Sequence, residues 1–441
     1  MSSFRYSIRN LITKLLVTGL AFLIYLFIPK FLGPDLFGTF SFLSAFVGLL
    51  IPLTSMGIGA GIIYTMSSKQ FLLPEVFGTI LRIGLLIAIL NAILLFLFYK
   101  FGMLNLFEVK INLKYTLLFA VGVFFQTLSF ILGRVFFGNS DFKILNLIEF
   151  STSLLNPILL LTFLFIFGKE NHLFLYVSFS IFSILIFLIH LYFVRKYNFL
   201  TEIKSDFVKK SFRYGLRSWP GDLALRANLR LDQLILVSSY SASALGIYSI
   251  AVKFVELVWM IPDSIGPVLF NLIASKKNPA ESLPIVAKVH RLLIYACLFI
   301  LFSWALICYY IMIPYFLGIE YKSVMIPFLL LIPGTLFLIS SKIFTKQFSA
   351  SGNVHWTSQI TIFGFIISFI AYFTLIPYFG MNGAALASSI GYTALAFAGL
   401  YKMKTNYSIQ LTDYYQFRIS DWVWLKNQFI RLSYHRKNLS S

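Results

Sequence analysis

Apolar runs of about twenty residues, the length that carries an α-helix across a bilayer, recur along this whole chain. Twelve spans can be drawn, at 9–31, 40–65, 78–100, 114–137, 145–168, 172–194, 212–237, 243–272, 287–313, 324–349, 355–378 and 382–401. In lipid every peptide group must find its partner inside the protein, so runs of this length must be helices. Composition agrees: of 441 residues, 59% are hydrophobic and 12% charged, against about 25% charged in soluble domains. The expected fold class is an all-α polytopic membrane protein.

One span departs from the rest. Span 212–237 contains RSWPGDLALRANLRLD, which places Arg217, Asp222, Arg226, Arg230 and Asp232 in or beside the bilayer. One charge at the bilayer centre costs roughly 2.5–3.5 kcal/mol. Several together cannot face lipid, so they must face each other, a neighbouring helix or a wet cavity. A cavity lined by arginine points to a route for an anion.

The remaining cations sort by side. With the N-terminus inside, the outside segments hold only Lys30, Lys100, Lys110, Lys114, Lys169 and Lys322, while Arg226, Arg230 and Lys253 lie within spans. This bias places both termini in the cytoplasm and supports an even number of spans. The net charge of +20 is therefore a topology signal rather than a nucleic-acid footprint. The N-terminal run has no small-residue cleavage site before Ile28-Pro29-Lys30, so it reads as the first span and not as a signal peptide.

Cys297 and Cys308 lie about 16 Å apart along one helix, beyond the roughly 7 Å that a disulfide tolerates. The five histidines show no ligand spacing. No metal, cofactor or catalytic constellation is expected. The short outside loops leave no room for a catalytic domain, so the chain is not expected to be an enzyme.

An internal repeat organises the spans. LFGTFSF (36–42) matches ALGIYSI (244–250) at an offset of 208, and Ser67 and Lys69 meet Ser275 and Lys277 at the same offset. Phe167-Gly168 meets Phe379-Gly380, and Gly138-Asn139 meets Gly352-Asn353, at offsets of 212 and 214. The expectation is two six-helix bundles related by a parallel pseudo-twofold along the membrane normal. The units would be 1–200, a cytoplasmic linker at 201–211, 212–401, and a basic cytoplasmic tail at 402–441. With Trp422, Trp424, Phe429 and Leu432 among basic residues, the tail is either an interfacial amphipathic helix or a loosely ordered segment. Under the repeat, Arg226 and Arg230 meet Thr18 and Phe22, so the membrane-depth arginines belong to the second half only.

Pro220 and Gly221 are expected to break span 212–237. Beyond them Asp222, Arg226 and Arg230 share one helix face at i, i+4 and i+8, and Asp232 points elsewhere. Lys253 and Glu256 sit at similar depth in the next span, with Asp263 on nearly the same face as Glu256. Glu149 lies near the cytoplasmic side of span 145–168. Two interpretations stay open. The charges neutralise one another as salt bridges, or Arg226, Arg230 and Lys253 bind phosphate, for which guanidinium geometry is well suited. Asp222, Glu256, Asp263 and Glu149 are then ion-coupling or salt-bridge groups, and Arg217 lies on the cytoplasmic rim.

FLGPDLFGTFSF (31–42) and RLDQLILVSSYSASALGIYSIAVKFVE (230–256) resemble the polysaccharide flippases, the Wzx-like branch of the MOP exporter superfamily that also holds the MATE drug exporters. The resemblance implies a V-shaped pair of bundles that opens alternately to each side. It implies movement of undecaprenyl-pyrophosphate-linked oligosaccharide across the bacterial inner membrane, for O-antigen, capsule or exopolysaccharide synthesis. It also implies a coupling ion (H⁺ or Na⁺), membrane lipids around the protein, and a polysaccharide polymerase and chain-length regulator as partners. The family lines its cavity with basic residues, and Arg226, Arg230 and Lys253 are the positions here that could serve. The first half departs from that pattern, since its helix cores hold few cations. One alternative is a cation-coupled MATE-like exporter, which would favour an acidic cavity. Another is a membrane polysaccharide polymerase or ligase, which would need a large outside loop.

Overall fold

The computed structural model describes residues 2–424 except 70, 108–110, 196, 198, 200–201 and 277, with side chains from Phe27 onward apart from 142 and 279. Phe429 and Leu432 of the expected amphipathic tail lie outside the described residues, as does part of the 201–211 linker. The described residues form helices and no strand: α1 (Ser2–Thr54), α2 (Ile58–Ser67), α3 (Leu73–Lys100), α4 (Leu113–Gly138), α5 (Phe142–Phe167), α6 (Leu173–Val194), α7 (Ser205–Ser239), α8 (Ala242–Ala274), α9 (Leu283–Ile307), α10 (Met325–Ala350), α11 (Val354–Tyr407) and α12 (Leu411–Tyr415).

Among the described residues, nine helices are long and apolar enough to cross a membrane. The chain is thus a multi-pass membrane protein. Two of the long runs bend at a glycine: Gly33 (φ 77, ψ 169) divides α1, and Gly380 (φ 54, ψ −130) divides α11. At such φ a side chain would be strained, so glycine sets the bend. The charged helix α7 is not among the nine, although its 35 residues are ample to span, because its charges lower its hydropathy.

Two local expectations are corrected. First, α7 runs unbroken through Pro220. Gly221 is there for packing: a Cβ on it would come within 2.7 Å of the Ser358 hydroxyl on α11. Second, span 40–65 is interrupted at 55–57, where Met56 and Gly57 adopt positive φ. The interruption strands carbonyls at the end of α1, and the carbonyl of Pro52 accepts hydrogen bonds from Trp219 Nε1 at 3.0 Å and from Ser55 Oγ at 3.2 Å. α9 continues as a π-helical stretch, Cys308–Leu317. Cys297 and Cys308 are buried and unpaired.

The two halves of the chain meet along α1, α2, α7 and α8. α1 and α8 cross at Gly38 and Gly246. A Cβ on Gly38 would run into the Ala242 carbonyl, and a Cβ on Gly246 into the Pro34 carbonyl. Pro34 and Ala242 are themselves 208 residues apart, so the crossing is reciprocal at the repeat offset. Toward the other end, α2 lies against α7, with Gly57 against Gly215 and Gly61 against the Ser211 backbone. There Tyr64 stacks on Tyr214 at 4.1 Å, and Thr65 and Ser211 hydroxyls lie 3.0 Å apart.

The start of the tail docks rather than trailing away. Asp421 takes Arg291 of α9 in a two-pronged ion pair at 2.6 and 3.0 Å, and Arg291 also donates to the Asp413 carbonyl. His290 Nδ1 lies 2.9 Å from the Tyr414 carbonyl, and Tyr295 donates to the Tyr415 carbonyl at 2.6 Å. Lys288 sits 5.0 Å from the Trp424 ring. Burial pushes the Tyr414 phenol above the usual tyrosine range.

Candidate functional site: a cationic cavity between the halves

A cavity of about 430 Å³ lies between the α1–α8 crossing and the α2–α7 contact. α1 contributes Phe40, Ser41, Ser44, Ala45 and Gly48. α5 contributes Asn156, α7 contributes Arg226, Leu229, Arg230 and Gln233, and α8 contributes Ser249, Val252 and Lys253. Small residues on α1 leave the space, and the i, i+4 spacing of α7 turns Arg226 and Arg230 into it. All three cations singled out from the sequence therefore line one cavity.

Each cation also has a carboxylate. Arg226 Nε lies 3.1 Å from Asp222 Oδ2, one turn back on α7. Glu256 is shared between Arg230 at 3.0 Å and Lys253 at 2.6 Å, which ties α7 to α8 across the cavity wall. These cations stay about one-third exposed, so water screens the pairs and each is worth little alone. The salt-bridge interpretation is met in this geometry, and the bridged cations line the cavity.

The other sequence candidates fall elsewhere. Asp263 pairs with Lys342 of α10 at 2.7 Å, and neither lines the cavity. Glu149 is exposed on α5, and its backbone carbonyl takes hydrogen bonds from Thr152 and Ser153. Arg217 is exposed near the α2–α7 contact.

Two further charged groups lie off the cavity's lining. Arg134 of α4 lies over the Phe130 ring at 4.2 Å, and its side chain packs against Gly59 of α2. Asp232 points away from the Arg226–Arg230 face, as its spacing indicates; it is 1% exposed and anchors a polar network behind the cavity. It accepts from Tyr248 at 2.5 Å, Ser388 at 3.1 Å and the Gln233 backbone at 2.8 Å. Tyr372 continues the network to the Asn228 carbonyl at 2.9 Å, and Ser368 to the Asn228 side chain at 2.5 Å. The spacing of Asp232 from the Arg226–Arg230 face was the available signal. Its hydroxyl partners on α8 and α11 gave none.

Solved structures share this architecture. An inward-facing multidrug resistance MATE family transporter of the MOP superfamily superposes with a TM-score of 0.67 at 14% identity, over 89% of this chain and 94% of its own. The lipid II flippase MurJ in an inward closed conformation gives 0.60 at 15% identity, over 90% and 89%. A MOP superfamily transporter from Pyrococcus furiosus, described as having a binding pocket of reversed polarity, gives 0.58 at 13%, over 91% and 95%. The fold is that of the MOP superfamily of membrane transporters. Within it the sequence places the chain more narrowly: the profile of the polysaccharide biosynthesis protein family matches residues 5–275, and the chain belongs to that family. No curated protein matches it significantly.

Proposed function

We propose that this protein is a flippase for lipid-linked oligosaccharide, moving undecaprenyl-pyrophosphate-linked repeat units across the bacterial inner membrane during surface polysaccharide synthesis. The observation that carries the proposal is the convergence of Arg226, Arg230 and Lys253 on one cavity between the halves. Family membership supports the glycan class. The pyrophosphate meets the cations, the sugars occupy the wet space, and the lipid tail stays in the bilayer.

In this proposal twelve spans form two parallel-related bundles with both termini cytoplasmic. The reciprocal Gly38–Gly246 crossing supports the repeat. An incoming phosphate competes with Asp222 and Glu256 for the same guanidinium groups, so binding rewires the Arg230–Glu256 pair that joins α7 to α8. That rewiring is a physical link between loading and rocking of the halves. Coupling to an ion gradient is assigned to Asp222, Glu256 and the buried Asp232, while Asp263 and Glu149 stand off the cavity wall. A MATE-like exporter of cationic drugs would meet like charge at Arg226, Arg230 and Lys253.

The test is genetic. Replacing Arg226 and Arg230 with Ala is expected to abolish surface polysaccharide and leave lipid-linked units on the inner leaflet. Normal export in that strain would defeat the proposal.

A further inference from the structure

The cavity wall holds two hydroxyls that the ion pairs do not use. Ser41 of α1 and Ser249 of α8 both line it, and they are only 6% and 4% exposed. Neither hydroxyl makes a hydrogen bond within the protein. A serine in a helix ordinarily turns back to the carbonyl four residues earlier, as neighbouring Ser44 does to Phe40 at 3.2 Å. A buried hydroxyl without a partner destabilises a fold, so each such group calls for an explanation.

The two are not an arbitrary pair. They occupy the same place in LFGTFSF and ALGIYSI, 208 residues apart. Each lies three residues beyond the glycine that makes the reciprocal crossing, Gly38 for Ser41 and Gly246 for Ser249. One turn along from that crossing, each half of the chain thus places one serine on the wall of the same cavity, its hydroxyl buried and unpartnered.

We infer that Ser41 and Ser249 are pyrophosphate-binding residues, one hydroxyl donating to each phosphoryl group. This inference rests on the functional proposal above. Cations attract an anion from any direction, whereas hydroxyl donors fix where its oxygens sit. Arg230 and Lys253 share Glu256 and supply charge. The serines supply two equivalent neutral donors, which suit an anion built of two equivalent halves.

The test uses the full-length protein purified in detergent, titrated calorimetrically with farnesyl pyrophosphate, farnesyl monophosphate and farnesol. Ser41→Ala and Ser249→Ala are each expected to weaken farnesyl pyrophosphate binding by roughly tenfold, as loss of a hydrogen bond to a charged group does, and the double variant by more. Monophosphate binding is expected to respond to only one of the two. The melting temperature without ligand should stay level or rise, because alanine removes an unsatisfied hydroxyl; a structural serine would lower it. Undiminished pyrophosphate binding in the double variant overturns the role of the serines alone. Equal losses for monophosphate and pyrophosphate overturn the one-per-phosphoryl assignment. Wild-type protein that binds farnesyl pyrophosphate no better than farnesol fails the phosphate proposal itself.

Discussion

Arg230 Nη2 lies 3.0 Å from Glu256 Oε1, and the other oxygen of the same carboxylate is held by Lys253 at 2.6 Å. Two of the three cavity cations are therefore bridged by one acid, and a phosphate entering the cavity competes with it for their charge. Glu256→Gln removes that competitor. The pairs are partly exposed and screened, so the gain is modest: binding of a short isoprenyl pyrophosphate should tighten about fivefold while turnover falls because release slows. Calorimetry and a transport assay check the two halves of this statement, and weaker binding in the variant would contradict it.

Gly246 gives a second prediction. Its missing side chain lets the Pro34 carbonyl touch α8, so Gly246→Leu must push α1 and α8 apart, at about 1–3 kcal/mol of overpacking. The cavity should open at that crossing. A cysteine placed at Ser44, on the cavity wall, should then react faster with a membrane-impermeant thiol reagent than in the parent protein. The native Cys297 and Cys308 are buried and give little background. Equal labelling rates would show that the crossing is not a seal.

The tail strap gives a third. Arg291 and Asp421 are 4% and 2% exposed, so removing one partner strands a buried charge. Asp421→Ala should destabilise the second half by about 3–5 kcal/mol, less whatever the Asp413 carbonyl retains through Arg291. Thermal unfolding in detergent reads this directly. Replacing both residues with apolar ones of similar size should restore most of the loss, and an unchanged melting temperature in Asp421→Ala would mean the strap is not held by this pair.

Asp232 gives a fourth. Its carboxylate accepts from Tyr248, Ser388 and the Gln233 backbone, and Asn in its place turns one acceptor oxygen into a donor facing two hydroxyls. Asp232→Asn should keep pyrophosphate binding, since Asp232 is not on the cavity wall, yet lose the dependence of transport on an imposed ion gradient. Transport that follows the gradient as in the parent would remove Asp232 from coupling.

What the sequence could convey followed from contrast. Arg226, Arg230 and Lys253 stood out because charge inside an apolar run is expensive and must have a purpose, and the structure gathers them. The reciprocal glycines lay in plain view as LFGTFSF and ALGIYSI, although their contact needed coordinates. Partnerships across long separations were invisible: Arg291 and Asp421 are 130 residues apart, so a docked strap read as a loose or interfacial tail. Uncharged partners were equally silent, which is why the Tyr248, Tyr372 and Ser388 network around Asp232 went unseen. Pro220 misled because proline breaks isolated helices, whereas here α7 is held by α11 through the close approach at Gly221.

The most direct measurement is transbilayer movement itself. Purified protein is reconstituted into proteoliposomes carrying a fluorescent undecaprenyl-pyrophosphate-linked oligosaccharide, and the fraction reaching the other leaflet is followed by impermeant quenching. The account predicts rapid movement with the parent protein, and movement at the protein-free rate with Arg226→Ala/Arg230→Ala at equal reconstitution and equal melting temperature. Movement at the parental rate in that variant would contradict it.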